Sequence, residues 1–171
     1  MATYGKKFAG GKFQLEYFAK IIDNLKGSLR FEVPQSIIDA TGKEVARVYD
    51  AIVEYGGKIT KYEMKNWAKW YPSTIKNQFI KDLQNIKNLD ELKWVFNTTS
   101  GVTKANLKSK IISTLRKADG KPIEELERLF DNRTIVKKLQ TIFGKEVKTS
   151  KDILNKLNDD KIFNQIFEIV E

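Results

Sequence analysis

Two breaks, Gly56-Gly57 and Tyr71-Pro72, divide residues 43–86 into three segments of helical length, and this punctuation constrains the fold more than any other feature of the chain. Val45, Val48, Ile52 and Tyr55 recur at three- and four-residue spacing, which predicts a first helix ending where glycine reaches positive φ without strain. Thr60 and Glu63 stand in the relation of a capping box, and Met64, Trp67 and Ala68 supply the inner side of a second helix. Pro72 stops it, because proline cannot continue the hydrogen-bond ladder. Ser73 then caps a third helix with an inner stripe of Ile75, Phe79, Leu83 and Ile86.

The outer face of that third helix carries Thr74, Lys76, Asn77, Gln78 and Lys81. Asparagine and glutamine can pair with adenine edges, lysine can reach guanine or phosphate, and a helix N-terminus favours a phosphate near Thr74. The stretch AIVEYGGKITKYEMKNWAKWYPSTIKNQFIKDL resembles the winged-helix and helix-turn-helix class of DNA-binding domains. The resemblance implies that residues 74–81 enter the major groove and that residues 61–69 cross the backbone. A wing would fall at residues 92–103, where Trp94 and Phe96 alternate around Val95; a helix over residues 90–96 is the alternative.

Charge points to the same ligand. The chain has 31 basic against 22 acidic residues, a net +9, and residues 58–81 hold six lysines against Glu63 alone. A basic surface attracts phosphate backbones. Lys58, Lys61, Lys65 and Lys69 are therefore expected to contact phosphate, with Lys6, Lys7 and Lys12 on a flexible, glycine-rich basic arm over residues 1–12. Trp70 falls off the stripe of Met64, Trp67 and Tyr71, which makes it a candidate for stacking on bases.

There is neither histidine nor cysteine among the 171 residues. That removes Ser-His and Cys-His nucleophile pairs, disulfides and the common zinc sets. Glu124, Glu125 and Glu127 follow Pro122 as acids follow a helix start, so no metal cluster is expected there. The expectation is a non-catalytic protein without cofactor or metal. Apolar runs are short and no signal-peptide core precedes the first helix, which predicts an intracellular or virion-associated protein without a membrane span.

Beyond these motifs, Leu15, Phe18, Ile22 and Leu25 predict a helix closing at Gly27, Leu29, Phe31 and Val33 a short strand, and Pro34 a brief helix. Further helices are expected around Ile111, Leu126, Leu139, Leu154 and Phe163, and residues 120–135 echo 57–75 closely enough to suggest a second three-helix unit. The reading is a mainly α protein with one or two tri-helical units and at most a small β-hairpin. It divides into the arm, a helical unit over residues 13–104 and another over 105–171. The expected activity is binding of duplex DNA, more than RNA. The alternative is a structural coat or nucleoprotein subunit of a virus or mobile element, joined into a homo-oligomer by the apolar C-terminal helix.

Overall fold

The computed structural model describes residues 2–39, 43–98 and 101–170, and of residues 2–8 the backbone only. It is an α/β/α sandwich around a five-stranded mixed sheet. Helix α1 (Ala2–Ile21) leads into an antiparallel meander of β1 (Ser28–Ile38), β2 (Glu44–Tyr55) and β3 (Lys58–Lys65). Helix α2, residues 72–85, crosses to β4 (Leu92–Asn97), which lies parallel to β3. Then come α3 (Leu107–Thr114), α4 (Glu124–Glu127), α5 (Arg133–Phe143), α6 (Ser150–Asn158) and α7 (Asp160–Ile166), and the chain returns as β5 (Phe167–Val170), parallel to β4. The strand order is β1-β2-β3-β4-β5.

The mainly α expectation is thus overturned, and with it the helix-turn-helix. Its first two helices are β2 and β3, joined by a two-residue hairpin at Gly56-Gly57, whose φ values of +57° and +76° are those such a turn requires. The expected wing is β4, an interior strand between β3 and β5, and the apolar C-terminal helix ends at Ile166. β4 is covered on both sides and carries apolar residues without alternation, whereas β3 alternates Tyr62 and Met64 with Lys61, Glu63 and Lys65. Trp94, Val95 and Phe96 are all fully buried. Pro34 does not open a helix: it sits inside β1, an edge strand, where a missing donor costs little.

One face packs against α2 through α7 around Trp94, Phe79, Leu83, Ile111, Leu126 and Leu157. The other is closed by α1, where Tyr17 and Phe18 meet Tyr62, Met64 and Val95. This inner face of α1 leaves Leu15 and Ile22, expected inside, more than half exposed. Helix α1 also runs through the stretch expected as an arm; the Lys6 and Lys7 side chains lie outside the described residues.

The helices after residue 105 follow their local signals. Asn132 caps α5 through the N–H groups of Thr134 and Ile135, Thr149 and Asp152 form a capping box on α6, and Asp159 caps α7. Phe163 and Phe167, expected to dock on the body or on a partner, are buried in the chain's own core. Among the described residues no helix is long and apolar enough to cross a membrane.

Candidate active site

Period-two geometry puts Lys61, Glu63 and Lys65 of β3 on the face covered by α2. Lys61 reaches the end of that helix: its Nζ donates to the Asn85 carbonyl at 2.9 Å, and Lys138 of α5 donates to the adjacent carbonyl of Gln84. Both lysines thus satisfy the open C-terminal carbonyls of α2 and its negative dipole end. Burial lowers the pKa of each. Lys61, expected on phosphate, therefore serves the fold.

Glu63 and Lys65 are different. Lys65 Nζ lies 2.6 Å from Glu63 Oε2 and 2.8 Å from Gln78 Oε1 on α2, and its charge sits 4.8 Å above the Trp94 ring. Arg47 of β2 completes the cluster. Its Nε donates to Asp82 Oδ1 at 2.9 Å and its Nη2 to Oδ2 at 3.2 Å, while Trp94 Nε1 donates to the same Oδ2 at 3.0 Å. Arg47 Nη2 also stands 2.7 Å from Glu63 Oε1, yet at an angle that makes no hydrogen bond, so that oxygen is charge-paired but keeps an unsatisfied lone pair. Glu63 is 2% exposed and Asp82 wholly buried.

Burial is the largest influence on Glu63 and pushes its carboxyl up to about 7; Lys65 and Arg47 pull it back, Asp82 and Asp50 push further. Asp82 is raised by burial against the pull of Arg47. Arg47 is held above its ordinary value by Asp82 and Glu63, although burial works against it. Groups perturbed in this way recur at functional sites and in structural ion networks alike.

Three backbone irregularities converge on the cluster. Tyr49 and Ile52 of β2 both face the α2 side although three residues apart, whereas Ala51 and Val53 face α1, so the alternation breaks at Asp50. Opposite Asp50 in the β1 register, Glu32 has a φ of +49°, rarely adopted by a residue with a side chain. β2 and β3 pair as far as Ala51 and Tyr62; beyond, the Met64 N–H donates to Asp50 Oδ2 at 2.7 Å. Asp50 Oδ1 accepts from Gln14 of α1 at 3.2 Å. In α2, residues Ile75–Phe79 form a π turn between α-helical turns, and this widened turn carries Gln78. Bulges and π turns recur at functional sites, where they re-aim a side chain.

The remaining candidates disperse. Lys58 is exposed at the β2–β3 turn, Lys69 follows β3, and Lys12 pairs with Glu16 on the outside of α1. Thr74 is half-buried in the first turn of α2, which Pro72 opens without the side-chain cap expected of Ser73. Lys76, Asn77 and Lys81 line a shallow pocket shared with Asp39, Glu125 and Arg128. Among the described residues, the structure thus gathers Lys76, Asn77 and Lys81 at that pocket and brings Lys65 onto Gln78, in two separate places. The sequence reading missed Asp50, and took Glu63 for a cap; the signal was the spacing Glu-x-Lys, which shares a face on a strand and not on a helix.

Asp50 and Glu63 lie close enough for the charge of Asp50 to push Glu63 up, a repulsion that a divalent cation would relieve. Among the described residues no three carboxylates are placed to hold a metal ion together. Magnesium nevertheless needs only one or two carboxylates when water and substrate phosphate complete its shell. Glu63 Oε1 accepts no hydrogen bond, although it faces the Arg47 guanidinium, and among the described residues each Asp50 oxygen accepts one. Comparison of the chain with protein-family profiles, curated proteins and solved structures finds no match.

Proposed function

We propose that this chain hydrolyses phosphodiester bonds of nucleic acid at Asp50, Glu63 and Lys65. The observation that carries the reading is the Lys65 ammonium fixed between Glu63 Oε2 and Gln78 Oε1, where the β2 ladder breaks and α2 widens into its π turn. A buried ion network that served stability alone would need none of these distortions, and packed apolar residues would hold the sheet at least as well.

Asp50 and Glu63 would hold a divalent cation, which would supply Lewis-acid polarisation of a phosphate oxygen and an ionisable water. The chain's own groups do the rest. Lys65 offers positive charge to the phosphate as charge builds up on it, the largest single contribution in most active sites. Gln78 holds that ammonium in place, and Arg47, itself oriented by Asp82, favours the ionised form of Glu63. Net charge of +9 and the exposed lysines at 58 and 69 favour a polyanionic substrate. The absence of histidine and cysteine, which argued for a non-catalytic protein, does not bear on carboxylate and lysine chemistry.

The test is incubation of single-stranded and duplex DNA and RNA with the protein and Mg²⁺ or Mn²⁺. Cleavage is expected, falling by about 10²-fold or more in Asp50→Asn, Glu63→Gln and Lys65→Met. Binding of all four polymers without cleavage in either cation would sink the hydrolase and leave the non-catalytic nucleic-acid binder expected from the sequence.

A further inference from the structure

Immediately beyond Lys65 the chain builds an aromatic step. Lys65 Nζ is 5.9 Å from the centre of the Trp67 ring, which meets Trp70 edge-on at 5.6 Å, Tyr71 at 5.2 Å and buried Phe96 at 5.7 Å. Trp70 lies stacked against Phe96 and donates its Nε1 proton to Thr114 Oγ1 at 3.0 Å, so the inner part of the step is held rigidly. Tyr71 forms the outer edge and is exposed. Two cations sit over it: Lys69 Nζ is 5.6 Å from the Tyr71 ring and Lys110 Nζ 5.9 Å from the Trp70 ring.

Resting on the hydrolase reading above, we propose that this step receives an unpaired base, so that the substrate of the site is single-stranded or frayed nucleic acid. A base inside a duplex has both faces covered by its neighbours, and away from the duplex ends only an unpaired one can lay a face on Tyr71. Stacking of this kind is indifferent to base identity. Lys69 lies on a flexible stem above the ring and meets the adjoining phosphate as the base displaces it. The run of contacts from Lys65 through Trp67 to Tyr71 links the exposed ring to the buried ammonium.

The experiment is binding without cleavage: fluorescence anisotropy of labelled 12-nucleotide oligo(dT) and oligo(U), and of 12-base-pair duplexes, on Glu63→Gln protein with EDTA. Both single strands are expected to bind more tightly than the duplexes. Tyr71→Ala in that background weakens single-strand binding about tenfold, leaves duplex binding within about twofold, and is rescued by Tyr71→Phe. Equal weakening of both classes, no weakening, or tighter binding of the duplex overturns the proposal. Because the readout involves no catalysis, inactivity of the wild-type protein would defeat the hydrolase reading and leave this result interpretable. Thermal melting of the Tyr71 variants confirms that they are folded when compared.

Discussion

Lys65 Nζ lies 2.6 Å from Glu63 Oε2, two residues away on the same strand and the same face of the sheet. The pair is almost wholly removed from water, and the same carboxylate faces Arg47 through its other oxygen. Each ion of such a cluster has lost several kcal/mol of hydration, which good geometry only partly returns. Its behaviour on titration and substitution is therefore sharply defined.

Stability of the cation-free protein depends on Glu63 with a known sign. Its carboxyl is raised from an ordinary 4.5 to about 7 in the fold, so its contribution is fully present below 4.5 and is lost as pH rises through 7. Asp82, also raised, acts in the same direction. Glu63→Gln does not titrate. Its Tm relative to wild type should climb between pH 5 and pH 8 in EDTA, and a constant difference would show that Glu63 titrates normally.

Gln78 touches Lys65 and is a positioning residue. Gln78→Ala should lower kcat about ten- to a hundredfold, as loss of an orienting partner does elsewhere, with KM little changed. Gln78→Glu keeps an acceptor toward Lys65 and should recover part of the rate. Equal loss in both variants would mean that Gln78 does not act through the ammonium.

The Arg47–Asp82 pair is the structural part of the cluster. Removing either partner strands a buried charge, so Arg47→Met or Asp82→Leu alone should cost about 3–5 kcal/mol in urea unfolding. The double variant should lose less than the sum, by more than about 1 kcal/mol. Additive losses would mean that the two side chains are energetically independent.

Glycine substitutions separate two backbone roles. Nothing lies within 4 Å of a Cβ built on Gly10 in the middle of α1, so Gly10→Ala should stabilise by about 0.5–1 kcal/mol through a better helix propensity. Gly27, at φ +98°, would bring its Cβ to 2.0 Å from the Glu54 carbonyl oxygen. Gly27→Ala should destabilise by more than about 1 kcal/mol, and Tm orders the two.

What could be read along the chain was what depends on near neighbours. The caps Asn132, Thr149 and Asp159 act within three residues, and the helices they open were legible. Pro72, expected to stop a helix with Ser73 capping the next, is itself the first residue of α2. β2 was misread because its alternation breaks at Asp50, so that Val45, Val48, Ile52 and Tyr55 mimic a helical stripe, and β3 because its alternating charges, Lys61, Glu63 and Lys65, were taken for the polar side of a helix. Within that stripe Val48 and Tyr55 are exposed, which only the pairing of β2 with β1 and β3 decides.

By itself the sequence determined the chemical inventory: a strongly basic chain without histidine or cysteine, whose chemistry rests on carboxylates, amides and amines. Where those groups meet was decided by tertiary structure. On a helix Glu63 and Lys65 would point roughly 200° apart; on β3 they share a face, and Arg47, Gln78 and Asp82 reach them from a neighbouring strand and the crossing helix. Contacts spanning 13 to 35 residues of sequence leave no periodic trace in it, because each depends on strand register and helix placement that the whole sheet sets together.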